Sequence, residues 1–154
     1  MTMDMEKYMR EALALAAEAA AAGEIPVGCV VVDGEGNIIG RGRNRREEKR
    51  SVVGHAEIEA LEAAAAFRGD WRMDDCSLFV TLEPCPMCAG AMIMSRLGTL
   101  VYGAREEQTG SAASVLNLFE ESYPGHTAIY EGILAEESRE LLKEFFDKMR
   151  KRDA

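Results

Sequence analysis

Apolar positions along this 154-residue chain recur with two different periods, and their alternation lays out the expected elements. Residues 4–22 are rich in Ala and Leu, with Met5, Met9, Leu13 and Ala16 at helical spacing. Gly23 ends the helix they predict. Val27 to Val32 is an unbroken apolar run, the pattern of a strand covered on both faces. The cluster Asp33-Gly-Glu-Gly-Asn37 predicts a turn, and Ile38 to Arg43 a second strand, so the pair forms a hairpin. Residues 44–53 read as polar and irregular. From about Ala56 to Phe67 the period is helical again, with Ile58, Leu61 and Ala65 on one face and Gly69-Asp70 as the break. Ser77 to Leu82 is a third strand. Pro86 suits the first turn of a helix running to about Arg96 and closed by Gly98, because its fixed φ fits and its missing N–H would have no partner there. Thr99 to Tyr102 is a fourth strand, Leu116 to Glu121 a short helical turn, and Ala128 to Glu131 a weak fifth strand. Residues 136–150 form an amphipathic helix with Leu141, Leu142, Phe145 and Phe146 inward. Helix, hairpin, then strands alternating with helices predict an α/β fold, a three-layer sandwich around a mixed five-stranded sheet. No composition break or repeat divides the chain, so residues 1–154 read as a single domain.

Composition narrows the function classes. A hydrophobic share of 47% supports a buried core and excludes a disordered chain. No stretch approaches the roughly 20 apolar residues of a membrane span. The Ala-rich run carries Glu18 and follows Asp4 and Glu6, so it reads as a helix rather than a signal peptide, and the expected setting is cytoplasmic. Cys29 and Cys76 lie in apolar surroundings and read as buried core thiols. A net charge of −9 argues against binding nucleic acid through the whole surface. Two local basic runs remain, Arg41 to Arg50 and Lys148 to Arg152; each also reads as solvated surface charge.

The candidate chemistry lies in His55-Ala56-Glu57 and in Glu83-Pro84-Cys85-Pro86-Met87-Cys88. His55 and Glu57 fall at the start of one helix, and Cys85 and Cys88 at the first turn of another. The Cys spacing puts both sulfurs on one side, and the positive end of the helix favours the thiolate that a metal needs. One imidazole and two thiolates suit Zn2+, one ion per subunit. Only three ligands are evident, which leaves the open position of a catalytic rather than a structural site. Glu57, two residues from a ligand, is placed to take a proton from an attacking water and pass it to a ring nitrogen and a leaving amine. No organic cofactor is implied. Alone, Cys-x-x-Cys after a strand also suits a redox pair. A closed structural site drawing on Cys29, Cys76 or His126 is a further alternative; His126, after Pro124-Gly125, reads as a surface loop residue.

Together these motifs resemble the signature of the cytidine-deaminase-like superfamily, His-x-Glu followed by Pro-Cys-x-x-Cys. Within it the chain is similar to the bacterial tRNA-specific adenosine deaminases, from about Tyr8 to Met149. Glu24-Ile-Pro-Val-Gly28, Gly42-Arg-Asn44, Thr81-Leu-Glu-Pro-Cys-Pro-Met-Cys-Ala-Gly-Ala-Met92, Tyr102-Gly-Ala-Arg105, Thr109-Gly110 and Glu131-Gly-Ile-Leu134 are among the segments that carry the likeness. The resemblance implies a cytidine-deaminase-like fold and conversion of the wobble adenosine of a tRNA anticodon to inosine. It implies His55, Cys85 and Cys88 as zinc ligands, Glu57 as the proton carrier, and Asn44, Val27, Ala56 and Pro84 as contacts to the base. It further implies a homodimer binding a tRNA anticodon stem-loop, with Glu106, Gln108 and Phe146 touching the RNA. Two departures from the family's pattern stand out, the first of them in the implied anticodon-loop contact region. Glu106 and Gln108 stand where the family usually has Asp and Lys, and the loop at Tyr123-Pro-Gly-His126 is short and lacks the family's Asn-His pair. Deamination of a free base or nucleoside, guanine or cytosine in type, uses the same motifs and remains the alternative.

Overall fold

A computed structural model describes residues 3–153; residues 1, 2 and 154 of the expected domain lie outside the described residues. Helix α1 spans Met5–Ala21, with the Asp4 side chain accepting from the Lys7 backbone N–H at its start. Gly23 adopts a left-handed φ of 82° just beyond its end. Strands β1 (Gly28–Val32) and β2 (Ile38–Arg43) form the expected hairpin. Strand β3 (Ser77–Leu82) pairs antiparallel with β1, while β4 (Thr99–Ala104) and β5 (Ala128–Tyr130) continue the sheet in parallel. The order is β2-β1-β3-β4-β5, a mixed five-stranded sheet.

Every residue of β1 is buried because helices cover both faces. Helix α1 and the C-terminal helix pack on one face around Tyr8, Met9, Val30, Val32, Phe79 and Val101. The opposite face carries the larger core, built from Val31, Leu78, Val80, Leu100 and Tyr102 with the helices that follow β2 and β3. Glycines set how closely helices approach: a Cβ on Gly28 would lie 1.9 Å from the Ala12 carbonyl oxygen, and one on Gly42 would lie 2.3 Å from that of Ala56.

The structure corrects several sequence-based expectations. A short helix, α2 (Arg46–Lys49), interrupts the segment expected to be irregular. Its first N–H groups are capped from a distance, as the buried Glu24 carboxylate accepts from Glu47 N (3.1 Å) and Glu48 N (2.8 Å). In helix α3 (Ala56–Arg68) the buried face is Ala56, Glu57, Ala60, Leu61 and Ala64; Ile58 and Ala65 flank it. Small side chains take the face because α3 lies against glycine positions of β2. Helix α4 (Pro86–Met94) stops short of Arg96, which takes a left-handed φ of 61° after Ser95 ends the helix. Helix α5 runs over Ala135–Asp153, longer than expected. On α5 Phe145 is buried, but Phe146 is 41% exposed and meets Phe145 edge-on instead of entering the core.

Candidate active site

The site forms where the starts of α3 and α4 meet. Strand β3 delivers the chain into Glu83-Pro84-Cys85, and Pro86 opens α4 at its first helical position. Cys85 is therefore the residue before the helix and Cys88 lies within its first turn. His55 takes the equivalent place before α3, in extended backbone. It is held there by a strap in which Arg45 N donates to the Gly54 carbonyl (2.8 Å) and His55 N to that of Val53 (2.8 Å). His55 Nδ1 lies 3.7 Å from Cys85 Sγ and 3.5 Å from Cys88 Sγ. One donor atom from each of the three residues falls within 4.8 Å of the others. Among the described residues this is the group of His, Cys, Asp and Glu able to share a metal ion. Exposed His126 and buried Cys29 and Cys76 stand outside it.

Electrostatics separate the two sulfurs. A hydrogen bond from the Cys88 thiol draws the Cys85 pKa down to about 4 against the effect of burial, helped by His55. Cys88, sharing that bond, more deeply buried and facing Glu57, is pushed far up. His55 is raised, chiefly by its hydrogen bond to Cys85. Glu57, 4% exposed, is pushed up to about 7, principally by burial. A carboxyl so placed exchanges a proton near neutral pH.

A cavity of about 120 Å³ opens against this cluster. His55 and Cys85 reach its surface, whereas Cys88 and Glu57 do not line it. Val27, Asn44, Ala56 and Glu106, all singled out from sequence, line it too. Their convergence is a product of strand pairing: Gly28 opposes Arg43, so Asn44 N donates to the Val27 carbonyl at 3.1 Å. The Asn44 amide is fixed as well. Its Nδ2 donates to the Ile25 carbonyl (3.3 Å) and its Oδ1 accepts from Arg46 N (3.2 Å), leaving an Nδ2 proton to offer.

Pro84 and Gln108 do not line the cavity. Phe146 instead lines a neighbouring groove with Phe145, Met149 and Arg46, and the groove shares Asn44 and Ile25 with the cavity. Ile25, Arg46, Leu82, Glu83 and Thr109 complete the cavity and carried no assigned role in the sequence. All five sit in stretches already singled out, Arg46 in the basic run and the other four in segments that carry the likeness, which was the available signal. The basic run is largely consumed internally: Arg43 pairs with Glu48 (3.0 Å), and Arg45 with Glu59 and Glu48 (both 2.8 Å). Among the described residues Arg46 makes no ion pair, and it is exposed at the cavity rim.

Comparison with known proteins places this geometry. The MafB19-like deaminase family matches residues 3–150. A tRNA-specific adenosine deaminase of Bacillus subtilis is 41% identical over 99% of this chain and 94% of its own length. A tRNA(Ile)-lysidine synthase of Deinococcus radiodurans is 44% identical, but the chain spans only 25% of that longer protein. Among solved structures, one from a study of A-to-I editing by tRNA deaminases at the wobble position superposes with a TM-score of 0.85. It is 36% identical and covers 88% of this chain and 99% of its own. The guanine deaminase of Nitrosomonas europaea gives a TM-score of 0.81 at 27% identity, covering 94% of this chain and 85% of its own.

Proposed function

This chain belongs to the MafB19-like deaminase family, among relatives named tRNA-specific adenosine deaminases, and from that premise we propose that it hydrolytically deaminates the wobble adenosine of a tRNA anticodon to inosine. The observation that carries the reading is the three-donor cluster with its open side on a cavity and a buried carboxyl behind it.

The donor set fits Zn2+. Metal–sulfur and metal–nitrogen bonds of about 2.3 and 2.0 Å at tetrahedral angles separate N from S by roughly 3.5 Å. The N···S separations here are 3.5 and 3.7 Å. When bound, zinc supplies Lewis acidity that lets water act as a nucleophile near neutral pH. Within the chain, Glu57 takes one proton from the water and delivers it to the ring nitrogen, then carries the second, from the added hydroxyl, to the departing amine, which leaves as ammonia. Val27 and Ile25 provide apolar walls for the base, the Ala56 backbone bounds it, and the spare Asn44 Nδ2 proton donates to a ring acceptor. Pro84 acts through the turn that carries Cys85 rather than by touching the base.

The RNA assignment is supported by the rim. Exposed Arg46, without an ion pair among the described residues, offers a cation for a phosphate, and Phe146 an exposed ring for stacking beside the cavity. Glu106 contacts the flipped nucleotide from the cavity side, and Gln108 lies on the same loop facing outward. We read the protein as a cytoplasmic homodimer. An apolar groove of about 280 Å³ between α3 and α4, edged by Trp71 at 52% exposure, supports the second subunit. Among the described residues no helix is long and apolar enough to cross a membrane.

Incubating the purified protein with an adenosine-bearing anticodon stem-loop and with free guanine tests the choice of substrate. Inosine at the wobble position is expected, and turnover of guanine with an inert stem-loop would reject it. Glu57→Gln is expected to lower turnover by about 10²-fold or more while one zinc stays bound; retained activity would remove Glu57 from its role. Light scattering that finds a monomer would remove the dimer.

A further inference from the structure

Glu83 stands at the end of β3, two residues before Cys85, and is only 2% exposed. Five donors converge on its carboxylate. Oε1 accepts from Glu106 N (3.0 Å) and Ser114 Oγ (2.5 Å). Oε2 accepts from Ala112 N (3.1 Å), Ala113 N (2.8 Å) and Ser114 N (2.9 Å). All five donors belong to the loop after β4. Ser111 N adds a bond to the Pro84 carbonyl, and Glu83 N one to that of Ala104, both 2.8 Å. The loop is wrapped so closely that a Cβ on Gly110 would lie 2.4 Å from the Glu83 carboxyl carbon. This loop carries Glu106 and Thr109, which line the same cavity as His55 and Cys85.

We propose that Glu83 is a positioning residue for substrate recognition: its carboxylate fixes the cavity wall bearing Glu106 and Thr109 at a set distance from the Cys85 turn. A long loop whose regular structure is one 3-10 turn at Leu118–Glu120 and a single bridge between Ala112 and Asn117 otherwise samples many conformations, and each bond to a buried charge narrows them. The clamp rests on the proposed function only for the identity of the substrate it orients.

The two oxygens make the proposal separable from simple structural support. In Glu83→Gln the amide oxygen keeps the three N–H groups of Ala112, Ala113 and Ser114. The amide nitrogen then faces Glu106 N–H, donor against donor, while the Ser114 hydroxyl can rotate to accept. The expected result is faster hydrogen exchange at the Glu106 amide with residues 112–114 nearly unchanged. For the stem-loop, KM should rise roughly tenfold or more with kcat within about threefold, and zinc content should stay at the wild-type level. A protected Glu106 amide with unchanged KM would overturn the proposal. So would loss of zinc together with kcat, because Glu83 would then serve the metal ligands instead. Should Glu83→Gln fail to fold, Ser114→Ala removes the hydroxyl donor alone; KM is expected to rise about twofold to fivefold, and no rise overturns the clamp. If wild-type protein leaves the stem-loop untouched, the proposed substrate falls, and the exchange pattern still decides the clamp.

Discussion

Replacing Glu24 tests whether a carboxylate distant in sequence builds the short helix beside the cavity. The side chain is 2% exposed and supplies both acceptors for Glu47 N and Glu48 N at the start of α2. Glu24→Ala strips both caps. The two donors sit on an exposed segment, so water replaces part of what is lost. Cap deletions of this kind cost about 1 kcal/mol each, which sums to roughly 2 kcal/mol for the pair. For a chain of this size that lowers Tm by about 4–8 °C. Glu24→Gln retains one acceptor and opposes the other N–H with an amide donor, so about half of the loss is expected. Function should follow stability, because α2 begins at Arg46, whose N–H holds the Asn44 amide. Urea unfolding should show a lower midpoint with an unchanged slope. A Glu24→Ala protein within about 0.5 kcal/mol of wild type would refute the reasoning. A Gln variant as unstable as the Ala variant would refute the two-acceptor account.

Three further outcomes follow from other parts of the fold. Gly42→Ala forces a Cβ to 2.3 Å from the Ala56 carbonyl oxygen and 2.7 Å from Ala60 N, both backbone atoms. Its displacement of α3 should cost about 1–3 kcal/mol in unfolding experiments and weaken zinc retention, since His55 and Glu57 ride on that helix; wild-type stability would show that α3 is not seated on β2. In metal-stripped protein at pH 8, mass spectrometry should find iodoacetamide on Cys85, whose pKa is drawn to about 4, well before Cys76, pushed up by burial to about 11, or buried Cys29. Added zinc should slow that labelling, and equal labelling of all cysteines would contradict the assignment. Asp33 is held below its usual range, chiefly by the Asn37 backbone N–H, despite slight desolvation. Its contribution is complete above the unfolded pKa of 3.8 and is lost as pH falls through the lower folded value. An NMR titration midpoint at or above 3.8 would remove this turn from the acid limb of stability.

Local chemistry was legible wherever neighbours in sequence are also neighbours in space. The hairpin, with its Asp33–Asn37 turn, and the start of α4 at Pro86 are set by residues a few positions apart. The ligand types were legible for the same reason, because Cys85 and Cys88 share one helical turn. Misreadings fell where a distant group decides. Segment 44–53 lacks helical patterning, yet Glu24, more than twenty residues earlier, caps two of its N–H groups, those of Glu47 and Glu48, at the start of α2. Phe146 follows the apolar rhythm of α5, but the buried residues of the helix are Ser138, which donates to the Thr81 carbonyl of β3, and Phe145, and the ring of Phe146 stays 41% exposed.

The sequence by itself determined that an imidazole, two thiols and a carboxyl sit at helix starts, since helix boundaries and ligand spacing are written in short stretches of chain. Only the tertiary structure decided that those two starts meet, that Asn44 and Val27 line the same cavity, and that Glu83 grips the loop after β4. Each of these depends on strand order and helix–sheet packing between residues far apart in the chain, where the side-chain pattern states what must be buried but not against which partner.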